Sequence, residues 1–146
     1  MLSLLGLQSK LKIFLLLPVL QFYKLKNAMS YNFKHKSPNP YFPEVTDVHA
    51  QEVFEQKQHL KLIDVREHEE YTGDLGHASD TVLIPLGQFA NQLQQFNTTD
   101  PLVIICRSGN RSAHAAAYAI SQGYKTVYNM AGGMMAWNQL QLPLEK

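Results

Sequence analysis

Residues 102–112 read Leu-Val-Ile-Ile-Cys-Arg-Ser-Gly-Asn-Arg-Ser, and an alanine-rich stretch follows them directly. The continuous apolar run 102–105 is typical of a buried strand in a parallel sheet, and the alanines favour a helix. The order is therefore a strand, a small polar and basic loop, and a helix start. Backbone N–H groups of such a loop converge on one spot, where the helix dipole adds partial positive charge. This stretch predicts an α/β fold with an anion-binding loop at the end of a strand.

The chain has a single cysteine, Cys106, which opens this loop. The thiolate is the reactive form of cysteine, and positive charge nearby favours it. Arg107 and Arg111 supply two permanent charges that can bind an oxyanion through paired N–H groups. We therefore predict that Cys106 is a nucleophile acting on a small anionic substrate, rather than a small buried hydrophobic residue.

Three motifs, in order along the chain, resemble those of the rhodanese family of sulfurtransferases. The loop Cys106–Ser112 is similar to the active-site loop of that family, and the resemblance runs from about Glu44 to the end of the chain. The other similar segments are residues 62–71 (Leu-Ile-Asp-Val-Arg-Glu-His-Glu-Glu-Tyr) with Gly76-His77 and Ile84-Pro85-Leu86, and residues 132–137 (Gly-Gly-Met-Met-Ala-Trp) with Leu142-Pro143.

The resemblance implies a rhodanese-like three-layer α/β fold, with a mostly parallel sheet of about five strands and helices on both faces. It implies a sulfurtransferase that moves a sulfane sulfur from thiosulfate, or a similar donor, to a thiophilic acceptor through a Cys106 persulfide. Thiosulfate:cyanide sulfurtransferase activity is expected, without a cofactor. Asp64 and Arg66 are expected to brace the site without reacting. The residues expected to bind the donor are Arg107, Ser108, Gly109, Asn110, Arg111 and Ser112.

Other reactions are compatible with a reactive cysteine in this setting. A sulfur-relay module that accepts persulfide from a partner protein is the main alternative. Phosphatase action is less favoured because four residues separate Cys106 from Arg111, where the related phosphatases have five, and the tighter loop suits a terminal sulfur better than a tetrahedral phosphate. A single cysteine excludes a dithiol oxidoreductase contained in one chain, and an arsenate reductase would need a thiol from elsewhere.

The six histidines lack ligand spacing, and with one cysteine we predict no metal site. His77 is expected to make a structural hydrogen bond, and the role of His114 is left open. The expected partners are a small anionic sulfur donor and a sulfur-carrier protein or thiol acceptor. Nucleic acid is not expected, because residues 44–146 carry a net charge of −5.

The charge pattern divides the chain at residue 43. Residues 1–43 hold six lysines and no acidic residue, and residues 37–43 contain three prolines typical of a linker. We predict a basic extension over 1–43, with a possible later start at Met29, and a rhodanese-like domain over 44–146. The apolar run 13–20 is shorter than the roughly 20 residues that span a bilayer. We expect a cytoplasmic protein, the alternative being membrane association or export through residues 1–28.

Periodicity and turn residues predict the remaining elements. Thr46 is predicted to cap a helix over 47–58, and the sequence departs from the family pattern at Ala78-Ser79-Asp80-Thr81, which puts the conformation of that turn in question. The predicted strands are 60–65, 81–84, 102–105 and 126–128, and the other predicted helices are 88–96, 112–122 and 134–140.

Overall fold

The computed structural model describes residues 31–146 together with Pro18, Val19 and Gln21. Residues Asn32–Lys146 form one compact unit. In the described part of the chain, no helix has both the length and the apolar character needed to cross a bilayer. The predicted basic extension over 1–43 lies outside the described residues up to residue 30, apart from those three positions. The predicted later start at Met29, and membrane association or export through residues 1–28, fall on that same part of the chain.

The described residues form a six-stranded sheet with helices packed against it. The strands are β1 (Lys36–Pro38), β2 (Thr46–Val48), β3 (Lys61–Asp64), β4 (Thr81–Leu83), β5 (Leu102–Ile105) and β6 (Val127–Met130). The α-helices are α1 (Ala50–Gln56), α2 (His68–Tyr71), α3 (Leu86–Gln92), α4 (Asn110–Ser121) and α5 (Gly133–Gln139), and short 3-10 turns follow α1 at Lys57–His59 and α3 at Leu93–Gln95.

The strand order is β1-β2-β6-β5-β3-β4, and every neighbouring pair is parallel except the antiparallel pair β1–β2. The helices pack in pairs, α1 with α5 and α3 with α4. Phe54 and Trp137 meet edge to face between α1 and α5, and Phe89 and Tyr118 do so between α3 and α4. The predicted α/β fold with a mostly parallel sheet is confirmed, with six strands where about five were expected.

The centre of the sheet is β5, which lies between β3 and β6. All four of its residues are completely buried, because strands flank it on both sides and helices cover it. Full burial of a side chain such as Ile104 contributes roughly 2–3 kcal/mol. The strand therefore anchors the core, and its carboxyl end carries Cys106 into the edge of the sheet where open α/β folds place their sites.

Two predictions near the amino end of the unit are wrong. Thr46–Val48 does not begin a helix but forms strand β2, which pairs with β6. The side chains of Val45 and Val48 are buried, and helix α1 starts only at Ala50. The segment read as a linker without regular structure supplies β1, since Lys36–Pro38 pairs with β2. Proline is tolerated there because β1 is an edge strand. The compact unit therefore begins before Glu44.

The turn that departs from the family pattern is held by Lys57. Its Nζ contacts Ser79 Oγ and lies 3.0 Å from Asp80 Oδ2. Asp80 adopts a left-handed conformation with φ of 63°, which aspartate tolerates better than most residues. The altered turn thus keeps Thr81 in register with Leu62 at the start of β4.

Candidate active site

Cys106 lies directly after β5 and is 1% exposed. Its Sγ accepts a hydrogen bond from the backbone N–H of Gly109 at 3.1 Å and lies 3.2 Å from Ser112 Oγ. Gly109 has φ of 100°, a conformation open to glycine, and this turns the chain back over the sulfur. Helix α4 begins at the next residue, so its positive dipole end lies at the same loop. The Gly109 N–H and the positive end of the helix dipole favour negative charge at the sulfur.

The amino end of α5 fixes the outer side of this loop. The N–H of Met134 donates to the carbonyl of Cys106 at 2.9 Å, and the N–H of Met135 donates to the carbonyl of Arg107 at 3.0 Å. Gly133 permits this close contact, because a Cβ there would lie 2.4 Å from Cys106 O. The carbonyls of Cys106 and Arg107 are therefore hydrogen-bonded to the amino end of α5. The closing Gly-Gly motif acts on the cysteine loop through the backbone.

Arg111 is bound by Glu70 of helix α2. Its two terminal nitrogens lie 2.8 and 2.7 Å from the two carboxylate oxygens. The hydrogen bonds from Arg111 lower the pKa of Glu70 from 4.5 to about 2, against the opposing effect of burial. The same pairing is the main cause that raises the pKa of Arg111, and Cys106 contributes to that rise. The sequence analysis missed Glu70, although it belongs to the first signature and supplies a carboxylate for a loop arginine.

Asp64 and Arg66 form a buried ion pair at the carboxyl end of β3. Arg66 Nη2 lies 2.8 Å from Asp64 Oδ2, and its Nε lies 3.0 Å from Oδ1. Arg66 also donates to the carbonyls of Glu70 and Gly76 at 3.2 and 2.8 Å. This pair thus holds the backbone of the segment that carries Glu70, the residue that binds Arg111.

Arg107, unlike Arg111, is not bound by an acidic side chain among the described residues. Its side chain is exposed, and among residues 31–146 no partner forms a hydrogen bond or an ion pair with its guanidinium. It borders a cleft of about 340 Å³. The cleft is also lined by Arg66, Glu69, Glu70, Gly73, Asp74 and Leu75. Of the two loop arginines, Arg107 is the one whose charge is available to an incoming anion.

The other residues predicted to bind the donor divide into two groups. Gly109 and Ser112 contact the sulfur, whereas Ser108 and Asn110 lie at the surface of the loop. Asn110 borders a second cleft of about 430 Å³. This second cleft is lined by Tyr41, Phe42, Asn110, Ala113 and His114.

The two histidines singled out from the sequence are both away from the sulfur. His77 Nδ1 lies 2.9 Å from the carbonyl oxygen of Tyr71, and its ring stacks on the Tyr71 ring at 3.6 Å. The predicted structural hydrogen bond of His77 is confirmed. His114 is exposed on α4, and its ring packs edge to face against Phe42.

A polar chain that the sequence analysis missed continues inward from Ser112. Ser112 Oγ lies 2.6 Å from Asn129 Oδ1, and Asn129 Nδ2 donates to Asp47 Oδ1 at 2.8 Å. Asn39 Nδ2 donates to the same Asp47 oxygen at 3.0 Å. Asp47 and Asn129 are partners on β2 and β6 but lie far apart in sequence, so no local pattern could have paired them.

Gly133→Ala should disrupt the loop, because its Cβ would overlap the carbonyls of Cys106 and Arg107. We expect a loss of about 3 kcal/mol or more in the free energy of unfolding, and faster alkylation of Cys106 by iodoacetamide. Gly123→Ala is the matched control: Gly123 also has a positive φ, but nothing lies within 4 Å of a Cβ there. That variant should lose only about 1 kcal/mol. Equal losses in urea unfolding would show that the close contact at Gly133 is unimportant.

The Glu70–Arg111 pair should make stability depend on pH in the acid range. The pKa of Glu70 is about 2 in the folded protein against an ordinary 4.5, so its contribution is present above pH 4.5 and is lost as the pH falls towards 2. Glu70→Gln should unfold with about 1 kcal/mol less free energy than the wild type at neutral pH, and the gap should narrow below pH 4.5. Glu69→Gln, at an exposed neighbouring carboxylate, should change stability by less than about 0.5 kcal/mol. A gap for Glu70→Gln that stays constant down to strongly acid pH would contradict the role of the ion pair.

Comparison with known proteins agrees with this geometry. Residues 46–140 match the family model of the rhodanese-like domain. The putative sulfur carrier protein YrkF of Bacillus subtilis is 36% identical over 118 residues, which are 77% of this chain but only 60% of that protein. The thiosulfate sulfurtransferase GlpE of Vibrio cholerae is 32% identical over 96 residues, 66% of this chain and 88% of that protein.

Among solved structures, the human single-domain sulfurtransferase TSTD1 superposes with a TM-score of 0.58 at 26% identity, covering 64% of this chain and 95% of that one. Relatives named as sulfurtransferases support sulfur transfer as the general chemistry. The fold, the cysteine loop and the family match lead to one conclusion: the chain belongs to the rhodanese family.

Proposed function

We propose that this protein is a sulfurtransferase that carries a sulfane sulfur from thiosulfate, or a similar anionic donor, to a thiophilic acceptor as a persulfide on Cys106. The observation that carries the proposal is the sulfur of Cys106 held by the Gly109 N–H at 3.1 Å, in the same loop as the guanidinium of Arg107, which no residue among 31–146 binds. The relative GlpE, named a thiosulfate sulfurtransferase, supports thiosulfate as the donor.

The reaction proceeds in two steps that need no cofactor. The thiol of Cys106 first releases its proton to solvent. The thiolate then attacks the outer sulfur of thiosulfate, the sulfur–sulfur bond of the donor breaks, and sulfite leaves with the bonding electron pair. Cys106 now carries a persulfide anion whose charge is on the outer sulfur. Cyanide attacks that outer sulfur in the second step, thiocyanate leaves, and the thiolate is restored.

The two loop arginines take different parts in this reaction. Arg107 would bind the sulfonate oxygens of the donor, because its guanidinium faces a cleft and is not engaged by a described residue. Arg111 is engaged by Glu70, and its charge acts on Cys106 through space. Direct contact of Arg111 with the donor, which the family resemblance implied, would require it to leave Glu70. We therefore assign the donor contact to Arg107 and loop positioning to Arg111.

A sulfur-relay role is the second candidate. The cleft beside Asn110 presents apolar surface next to the loop, and its lining includes Tyr41, which is 80% exposed, and Phe42. Met135, beside the loop at the start of α5, is 43% exposed. Exposed apolar surface suits contact with a protein that delivers sulfur, and the relative YrkF is named a putative sulfur carrier protein.

Steady-state thiocyanate formation from thiosulfate and cyanide tests the proposal. Cys106→Ser should abolish turnover, and double-reciprocal plots should be parallel, as a ping-pong mechanism requires. Arg107→Gln should raise KM for thiosulfate about tenfold by removing a charge-assisted contact, with little loss of stability because the side chain is exposed. Lys125→Gln, at an exposed lysine before β6, should leave KM unchanged.

Turnover that survives Cys106→Ser would refute the persulfide mechanism. A wild type without turnover would reject thiosulfate as donor. Transfer of sulfur from a persulfide-bearing protein in that case would support the relay role.

A further inference from the structure

The polar chain reaches Cys106 Sγ through a single hydroxyl group, that of Ser112. We propose that Asp47 and Asn129 are positioning residues that direct the hydroxyl proton of Ser112 away from Cys106 Sγ. They thereby disfavour charge on this sulfur relative to charge on the outer sulfur of a persulfide. The consequence for turnover rests on the proposed sulfurtransferase function, whereas the hydrogen-bond arrangement stands on the geometry alone.

The orientation of each amide in this polar chain is determined by the contacts of Asn39, the residue farthest from the sulfur. Asn39 Oδ1 accepts the backbone N–H groups of Tyr41 and Phe42 at 3.0 and 3.1 Å, so its Nδ2 must point to Asp47. The carboxylate of Asp47 only accepts hydrogen bonds, so Asn129 must also present Nδ2 to it. Asn129 Oδ1 is therefore left facing Ser112.

Ser112 has one proton and two possible acceptors. Asn129 Oδ1 is 2.6 Å from its Oγ, whereas Cys106 Sγ is 3.2 Å away. An amide oxygen cannot donate, so the 2.6 Å contact is favourable only when Ser112 gives its proton to Asn129. Ser112 and Asn129 are almost completely buried, which makes an unsatisfied oxygen pair costly. The hydroxyl oxygen then presents a lone pair to Sγ, and this suits a protonated or uncharged sulfur.

This arrangement discriminates between the states of the catalytic cycle. A thiolate at Cys106 needs donors but receives none from Ser112 while that proton is held by Asn129. In the persulfide the inner sulfur is uncharged and the negative charge lies on the outer sulfur. The polar chain therefore disfavours the free thiolate but is compatible with the persulfide. A thiolate with fewer hydrogen bonds is also the stronger nucleophile towards a sulfur donor.

Asp47→Leu releases the polar chain without touching the sulfur. Asn129 Nδ2 would lose its acceptor, so the amide of Asn129 would no longer be held with its oxygen towards Ser112. Asn129 can then turn its own Nδ2 to Ser112, whose proton becomes free to bind Sγ. The ratio of thiolate to thiol at Cys106 should rise about threefold at a given pH, which is the typical effect of one hydrogen bond.

The measurement is the ultraviolet absorbance of the thiolate as a function of pH, with Cys106→Ser as the blank and no sulfur donor present. Failure of the proposed function would leave this titration unaffected. Other charged groups near the loop are the same in all variants. They are Asp64, Arg66, Glu70, Arg107 and Arg111. The exposed His114 on α4 is also unchanged.

Removal of a negative charge could itself favour the thiolate, so Asp47→Leu is measured again in a Ser112→Ala background. The threefold rise should shrink to the effect of the lost charge, because no hydroxyl proton remains to be redirected. Asp100→Asn is the matched charge control, since Asp100 lies before the amino end of β5 and Cys106 follows its carboxyl end. It should not change the ratio.

Asn129→Leu provides a second variant of similar size that removes the competing oxygen, and it carries the test if Asp47→Leu does not fold. It should also raise the ratio only when Ser112 is present. No rise, or an equal rise with and without Ser112, would overturn the proposal.

Discussion

The loop after β5 depends on two hydrogen bonds from the amino end of α5 to the carbonyls of Cys106 and Arg107, at 2.9 and 3.0 Å. They occupy the carbonyls of the loop, which would otherwise repel an anion, and they leave the Gly109 N–H to bind the sulfur. The contact requires a glycine at position 133, where a Cβ would meet backbone on both sides. The closing motif therefore lies far from the cysteine in sequence yet shapes the loop that holds it.

Charged side chains near the cysteine are linked one to the next. The buried Asp64–Arg66 pair holds the backbone that carries Glu70, Glu70 binds Arg111, and Arg111 lies at the start of the helix that follows the loop. A buried ion pair of this kind gains little net stability, so positioning is the better account of its place beside the site. Arg107 stands apart from this network and faces the cleft, which is why we assign it to the donor.

The sequence predicts those parts of the molecule that local patterns determine. The apolar run of β5, the glycine after Cys106 and the alanines of α4 are contiguous, so strand, loop and helix follow from one stretch. Strand β2 is different, because three residues become a strand only by pairing with β6, which is distant along the chain. Glu70 and Asn129 were missed for the same reason. Their partners, Arg111 and Ser112, are brought to them by the fold, and neither residue carries a local signal of its role.

We propose that Cys106 carries sulfur covalently. Intact-mass spectrometry of the full chain after incubation with thiosulfate alone, followed by removal of the donor, is the decisive measurement. We expect a gain of one sulfur atom on the wild type, its absence in Cys106→Ser, and its loss when cyanide is added. A wild type whose mass is unchanged by thiosulfate, or a sulfur adduct that persists in Cys106→Ser, would contradict it.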